Sequence, residues 1–431
     1  MFLALPSSSG LGHWAFIPKI TGSIPVGSTP ILQIQPYLVK YMLPCTGISL
    51  FLQQIYIYRF LDAFKLIGVL FALYFSTIGL TTIQIAFLIG IWSVTQIICE
   101  VPFGVISDKY PRKSVLIAAQ ILQAIAFILW LSHTYIGFAL GFVLWGFKNA
   151  LTSGTLEALI YDELSYLEQN ERYEHVNGMM ESIFWVSVAA SAIIGGWSTA
   201  LGYDFLIYAS IVSIVLSIIP LSLTKSIKPK KSTGESEYFT ILKKAVKELI
   251  KNKKLLVITL FFCTIFPLFA SADEWWALIY KQLKISDGII GILISLGYGI
   301  FIVAGYMSRY MNGTQGIVYG FWLLVISGLL LCGSFFTSSM FSIPIMFLGM
   351  FFLKIAHLKF DAQFQHFIDT SERATITSLK SLIFEVVYFI LVIFTGWVAS
   401  VWSPLHILFL QGTLIVILTL LYLPYRKVWY K

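Results

Sequence analysis

Long apolar runs separated by short polar segments make up most of the chain. Twelve runs are long enough to cross a bilayer as a helix, which takes about 20 mostly apolar residues. The 431 residues are 58% hydrophobic and 12% charged, whereas a soluble domain carries roughly 25% charged residues. The pattern predicts an all-α integral membrane protein with twelve transmembrane helices. We number these predicted spans 1–12, at residues 56–76, 83–106, 114–131, 136–156, 176–201, 205–221, 255–280, 288–307, 316–336, 341–360, 375–400 and 405–423.

Lysine and arginine are concentrated in the segments on one side of these spans. Residues 109–113 hold three, residues 225–254 hold ten and the tail after residue 425 holds three, whereas the other side has Lys281 and Lys284. Because basic segments stay in the cytoplasm, we predict that both termini are cytoplasmic. This distribution explains the formal net charge of +8 without a nucleic-acid partner.

The spans divide the chain into two six-helix bundles, residues 53–222 and 255–431, joined by a basic linker at residues 223–254. Apolar residues recur at helical spacing over residues 237–256 with lysines on the other face, which predicts an amphipathic helix on the inner leaflet. Residues 1–52 are rich in proline and have no helical period. We interpret them as a disordered tail or as a spurious N-terminal extension.

The turn between spans 2 and 3 carries a motif. It reads EVPFGVISDKYPRKSVL, and its glycine, acid and basic cluster are Gly104, Asp108, Lys109, Arg112 and Lys113. The pattern resembles the G-x-x-x-D-[RK]-x-G-[RK]-[RK] signature of the major facilitator superfamily of secondary transporters, with Pro111 where the family usually has glycine. The resemblance extends over roughly residues 53–425 and implies that family's fold, two pseudo-symmetric six-helix bundles, in a bacterial protein.

Spans 5 and 11 repeat one another. At an offset of 200 residues, the matching pairs are Ile183 and Ile383, Phe184 and Phe384, Gly196 and Gly396, and Trp197 and Trp397. The matches agree with halves related by an axis along the membrane normal.

Ionisable residues inside the spans each need a partner, a wet cavity or a task, because burying a charge in the bilayer costs several kcal/mol. Arg59 and Asp62 are one turn apart in span 1 and can compensate each other. Their role is either a structural ion pair or a cavity site in which Asp62 carries or senses a proton. Lys148 lies in the middle of span 4, at a position that resembles the family's span-4 arginine, which is linked to proton coupling.

Acids in the other spans extend the candidate set. Glu385 has no cation within a turn of span 11, so we predict a protonatable site there. Glu181 in span 5 is a further coupling candidate, or pairs across the cytoplasmic gate. Asp273 and Glu274 precede two tryptophans near the end of span 7, and we interpret them as solvated acids in an interfacial aromatic belt.

The resemblance also implies how the motif works. Gly104 would let span 2 approach span 11 closely, and Asp108, held by Arg112, would face the N-terminus of that helix. The stretch SERATITSL resembles a turn of the family in which the arginine, here Arg373, faces the same gate. These contacts would close the cytoplasmic side.

The resemblance implies a secondary transporter that would move a small, amphipathic molecule by alternating access. On this basis we expect proton-coupled export, as in multidrug efflux, through a monomer in the inner membrane of a bacterial cell, with no cofactor and no metal site. Proton-coupled uptake of a small metabolite and a non-translocating sensor remain alternatives. We find no constellation of an intramembrane enzyme.

Overall fold

The computed structural model describes residues 46–224, 246–247, 249–308, 310, 313–337, 339–367 and 373–425, and every regular element in these ranges is helical. Ten of the twelve spans are single helices. Those of the first half are Thr82–Lys109, Arg112–Trp130, Tyr135–Thr152, Tyr173–Ser198 and Tyr203–Leu223 (spans 2–6). Those of the second half are Asp287–Ser308, Gly313–Thr337, Ser342–His366, Arg373–Val401 and His406–Tyr422 (spans 8–12).

Spans 1 and 7 each consist of two helices with a break between them. Span 1 is Thr46–Ala63 followed by Phe71–Thr77, and span 7 is Lys253–Asp273 followed by Trp276–Gln282. The sequence pattern did not predict either break. A further helix, Thr155–Tyr166, connects spans 4 and 5 and was predicted only as the end of span 4 and a loop.

Ten helices of the described residues are long and apolar enough to cross a membrane. The two predicted spans that fall short are 1 and 4. Span 1 carries Arg59 and Asp62, and span 4 carries Lys148. Their lower hydropathy reflects charges that contact one another inside the bundle, as shown below.

Hydroxyl side chains of neighbouring spans bond the backbone around the break in span 1. Ser187 and Ser213 donate to the carbonyls of Phe60 and Leu61 at 2.6 and 2.9 Å, and the N–H of Ile67 donates to Ser210 Oγ at 3.2 Å. Non-helical backbone at membrane depth persists only where such partners are available. In span 7, Pro267 lacks the N–H that would continue the backbone hydrogen bonds of the helix. The Gln411 side-chain amide donates to the carbonyl of the next residue, Leu268.

The two halves have the same internal packing. In the first half, span 1 packs on spans 5 and 6, span 4 on spans 2 and 3, and span 3 on span 6; every pair recurs six spans later. The halves meet where span 2 packs on span 11, span 5 on span 8 and the second helices of spans 1 and 7 on each other. The predicted fold of two pseudo-symmetric bundles is therefore confirmed.

Some predictions concern the chain termini and the linker. Residues 46–52, assigned from the sequence to the N-terminal extension, belong to the first helix, so span 1 begins ten residues earlier than predicted. Residues 1–45, half of the predicted amphipathic helix and the basic tail lie outside the described residues.

Candidate functional site

A cavity of about 190 Å3 lies between the two halves. We call it the central cavity. Both helix breaks open onto it, Gly68 at the break in span 1 and Asp273 and Glu274 at the break in span 7. Its full lining is Gly68, Val69, Phe71, Ile89, Trp92, Phe142, Trp145, Asp273, Glu274, Trp276, Ile294 and Tyr298.

Aromatic rings from both halves form most of the wall. In the first half, Phe142 and Trp145 stack at 5.8 Å between centroids, and Trp92 lies 6.4 Å from Trp145. In the second half, Trp276 is 1% exposed and lies 6.2 Å from Tyr298. The indole N–H groups of Trp92 and Trp276 have no partner. The wall therefore offers mainly aromatic ring faces.

Asp273 and Glu274 are the charged residues in this lining. The Tyr388 hydroxyl donates to Glu274 Oε1 at 2.6 Å, whereas Asp273 Oδ1 has no hydrogen-bond partner. The neighbouring Trp275 is buried and donates from Nε1 to Thr395 Oγ1 at 3.0 Å, which anchors the break. The prediction of solvated interfacial acids is therefore wrong, because the break in span 7 turns these residues into the cavity between the halves.

A second cavity, of about 220 Å3, lies within the first half, and we call it the polar cavity. It lies one helical turn further along spans 2 and 4, since Gln96 and Asn149 follow Trp92 and Trp145 by four residues. Its lining is Tyr58, Arg59, Asp62, Gln96, Lys148, Asn149, Thr152, Ser153, Leu156 and Glu157.

Asp62 lies at the centre of a buried ion-pair network that borders the polar cavity. Asp62 is 3% exposed and Lys148 5% exposed, and Lys148 Nζ lies 3.0 Å from Asp62 Oδ1. Gln120 donates from Nε2 to the same oxygen at 2.9 Å and to the Tyr58 hydroxyl at 3.0 Å. Two charges removed from water are stable together only with such close contacts.

Arg59 extends this network to span 5. Its guanidinium lies 3.9 Å from Asp62, the contact expected from their spacing, and 3.5 Å from Glu181. It also lies over the Phe184 ring, 4.5 Å from the centroid. Glu181 therefore pairs within its own half, not across a gate.

The structure brings Arg59, Asp62, Lys148 and Glu181 together but keeps Glu385 apart from them. Glu385 lies on span 11, where it packs on span 2, and its carboxylate interacts electrostatically with that of Glu100. A separate pair joins spans 10 and 11, where Lys380 Nζ lies 2.6 Å from Asp361 and 4.1 Å from the centre of the Phe262 ring.

The motif between spans 2 and 3 makes its contacts within the first half. Arg112 donates from Nε to Asp162 of the connecting helix at 2.8 Å and lies 3.9 Å from Asp108. Lys113 donates to the Thr224 carbonyl at 2.8 Å, at the end of span 6, and Lys109 lies 5.8 Å from the Tyr110 ring. We call the end of the bundle that carries this motif the basic end.

The halves are apart at Gly104 and in contact at the other end. Outside its own helix, no atom of the described residues lies within 4 Å of where a Cβ on Gly104 would be, so the predicted close approach to the described part of span 11 is not made in this conformation. The side chain of Arg373, the first residue of the span 11 helix, is not described. At the opposite end, Thr82 donates to the Gly396 carbonyl at 3.0 Å, and a Cβ on Gly196 would lie 2.6 Å from the Asp287 carbonyl.

The two contacts at that end are related by the internal repeat. Gly396 packs against Ala86 of span 2, and Gly196 packs against Gly291 of span 8. Small residues let the helix backbones approach closely. The repeated glycines of spans 5 and 11 therefore hold the halves together away from the basic end.

The sequence reasoning missed the two charged residues in the lining of the central cavity. Asp273 and Glu274 form an acid pair inside a predicted apolar span, preceded by Pro267, and this combination could have indicated a helix break at a site. Within the described residues, no three His, Cys, Asp or Glu side chains are grouped so that they could hold a metal ion.

Comparisons with known proteins agree with this architecture. The chain is similar over 168 residues to an uncharacterized transporter of Buchnera aphidicola subsp. Schizaphis graminum (strain Sg), at 24% identity, which covers 38% of this chain and 41% of that protein. The chain thus matches less than half the length of that relative.

Solved structures match over more of the chain. The nucleoside transporter NupG matches with a TM-score of 0.68 and 15% identity, covering 88% of this chain and 100% of that one. A D-xylose-proton symporter matches with a TM-score of 0.65 and 12% identity, covering 88% and 97%. At these identities the likeness concerns the fold. The model of the Major Facilitator Superfamily matches residues 55–379, most of the chain, and the chain therefore belongs to the major facilitator superfamily.

Proposed function

We propose that the protein is a proton-coupled secondary transporter that moves a small amphipathic molecule across the bacterial inner membrane by alternating access. The observation that carries the proposal is the central cavity, which both halves line and onto which both helix breaks open. Transporters of this architecture bind their substrates at such a midplane site between repeats, next to discontinuous helices. Aromatic walls with few polar groups suit an amphipathic molecule.

Rocking of the two halves would expose the cavity to each side in turn. In the described conformation the glycine contacts of spans 5 and 11 close the end opposite the motif. Opening that end requires these contacts to separate, and the open space at Gly104 leaves room for span 2 to approach span 11 at the basic end. In this proposal Asp108, Arg112 and Arg373 stabilise the second conformation.

The proposed coupling groups lie on both sides of the interface. Glu385 is the proposed proton carrier, because it lies where span 11 meets span 2 and repels Glu100 when both are ionised. The network of Arg59, Asp62, Lys148 and Glu181 borders the polar cavity and joins spans 1, 4 and 5. In our proposal Asp62 stays ion-paired and senses the change through Lys148.

We propose export by exchange with protons. In this proposal Glu385 takes up a proton in one conformation and releases it in the other, while the substrate moves in the opposite direction. Uptake together with protons is the second candidate. It is favoured by the likeness in fold to a nucleoside transporter and to a D-xylose-proton symporter.

Proton movement in liposomes tests the proposal. The purified protein is reconstituted with a pH dye inside, and ethidium, uridine or xylose is added outside in the presence of a pH gradient. Exchange moves protons against the direction of the added compound, whereas symport moves them with it. We expect compound-dependent proton movement that is lost in Glu385→Gln, reduced in Asp62→Asn and unchanged in Glu171→Gln, an exposed acid of the loop before span 5.

Two results would contradict the proposal. Compound movement that is unaffected by the pH gradient would remove proton coupling. Binding of a compound without movement in any vesicle would favour the sensor alternative. Compound movement that depends on the pH gradient but not on Glu385 would mean that another acid carries the proton.

A further inference from the structure

We propose that the central cavity binds an organic cation with an aromatic or otherwise apolar body, and that Asp273 and Glu274 are its charge partners. This inference rests on the proposed function only in taking the central cavity as the substrate site. It names the class of substrate, which the fold leaves open.

The charge of the lining is the first argument. The cavity is lined by two carboxylates and by no Lys, Arg or His among the described residues. Asp273 Oδ1 has no partner, and the two carboxylates interact with each other. Adjacent acids away from water repel each other and favour a positive charge between or beside them. A cationic ligand supplies that charge when it enters.

Nearby basic residues are engaged elsewhere. Lys65 interacts with Asp62, Lys148 and Arg59 of the first half, and its Nζ lies 5.8 Å from the Trp145 ring. Lys354 of span 10 lies 5.7 Å from the ring of Phe301, which itself packs on Trp276 outside the lining. The cavity acids thus make no ion pair within 4 Å in the described part of the chain.

The aromatic wall is the second, independent argument. Trp92, Trp145 and Trp276 come from three different spans and face one cavity together with a tyrosine and two phenylalanines. A cation over an aromatic face is attracted by the negative face of the ring, most strongly over tryptophan and when water is excluded.

The size of the cavity limits how much of the ligand it covers. Its volume of about 190 Å3 is below the roughly 300–1,000 Å3 that is usual for sites enclosing a drug-sized ligand. In this conformation it encloses the cationic group and one ring of the ligand, and the rest of a larger amphipathic cation extends out of it.

Equilibrium dialysis of the purified full chain with radiolabelled tetraphenylphosphonium tests the charge requirement. Tetraphenylborate, which has the same shape and the opposite charge, is the matched control ligand. We expect Asp273→Asn and Glu274→Gln each to weaken tetraphenylphosphonium binding by about tenfold or more, as loss of a charged partner does. Asp273→Glu, which keeps the charge, should bind tetraphenylphosphonium more tightly than Asp273→Asn. Asp204 is half-exposed and outside the cavity lining, so Asp204→Asn should match the wild type.

The inference is overturned if tetraphenylborate binds as tightly, if both neutral variants keep wild-type affinity, or if the folded wild type does not bind tetraphenylphosphonium. Size-exclusion profiles establish that each variant is folded. Its failure is separable from that of the proposed function. Uridine- or xylose-driven proton movement without cation binding would refute the cation site and leave the proposed transport function standing. Cation binding that depends on these acids, without flux, would support the cation site and refute the proposed transport function.

Discussion

The two halves have one packing pattern but treat their buried acids differently. In the first half, Asp62 is held by Lys148 at 3.0 Å, by Gln120 at 2.9 Å and by Arg59 at 3.9 Å. In the second half, Asp273 has an oxygen without a partner, and its neighbour Glu274 accepts a hydrogen bond from Tyr388. A symmetric scaffold therefore carries an asymmetric charge distribution.

The difference indicates a division of roles between the halves. A paired acid keeps its charge, because losing it would leave the partner's charge buried alone. An acid without a cation can take up a proton or a positive ligand with little rearrangement. We infer that the first half holds its charged residues in fixed ion pairs. The acids of the second half take up and release protons or positive ligands at the central cavity.

The largest effect on stability is expected from breaking the ion pair between Asp62 and Lys148 in the first half. Lys148→Met leaves Asp62 buried without its closest cation, which costs about 3–5 kcal/mol in the free energy of unfolding. Denaturant titration in mixed micelles measures this change. The double variant Asp62→Asn with Lys148→Met should recover much of the loss, and a double variant as unstable as the single one would argue against a compensating pair.

The pair between spans 10 and 11 should be less sensitive. Lys380→Met removes the contact at 2.6 Å to Asp361, whose side chain is 15% exposed and can regain some solvation. We expect a loss of about 1–3 kcal/mol in the same titration. A loss equal to that of Lys148→Met would mean that both halves depend equally on their buried pairs.

Asp273→Asn should separate binding from stability. The substitution removes a negative charge that has no cationic partner, so we expect the free energy of unfolding to stay the same or to increase. The affinity for tetraphenylphosphonium should fall about tenfold, equivalent to about 1.4 kcal/mol. If the variant instead unfolds as readily as Lys148→Met, the acid is structural and the comparison of the halves fails.

Tyr388→Phe should have the smallest effect. The hydroxyl orients Glu274 through the bond at 2.6 Å, and without it the carboxylate keeps its charge but gains freedom. We expect the affinity for tetraphenylphosphonium to fall about threefold, measured by the same dialysis, with the free energy of unfolding little changed. An effect as large as that of Glu274→Gln would show that the hydroxyl itself contacts the ligand.

The hydropathy pattern predicted the twelve spans well because bilayer thickness fixes their length. The single helices of spans 2, 6 and 8 begin and end within a few residues of the prediction. The breaks in spans 1 and 7 were missed, since they depend on tertiary partners such as Ser210 and Gln411 that a local pattern does not contain.

The candidate site was predictable in part. The spacing of Arg59 and Asp62 indicated their contact, but the meeting of Asp62 with Lys148 and Gln120 joins three spans and required the fold. The repeated glycines at 196 and 396 were visible as a pattern, whereas their contacts with Gly291 and Ala86 were not. Asp273 was assigned to the wrong environment because the break after it was not foreseen.

The most direct test of the division between the halves compares two equivalent substitutions by one titration. Tetraphenylphosphonium affinity is measured for the folded fractions of Asp62→Asn and Asp273→Asn, isolated by size exclusion. The account predicts a loss of about tenfold or more in Asp273→Asn and a change of no more than about twofold in Asp62→Asn. An equal loss in both variants, or a larger loss in Asp62→Asn, would contradict it.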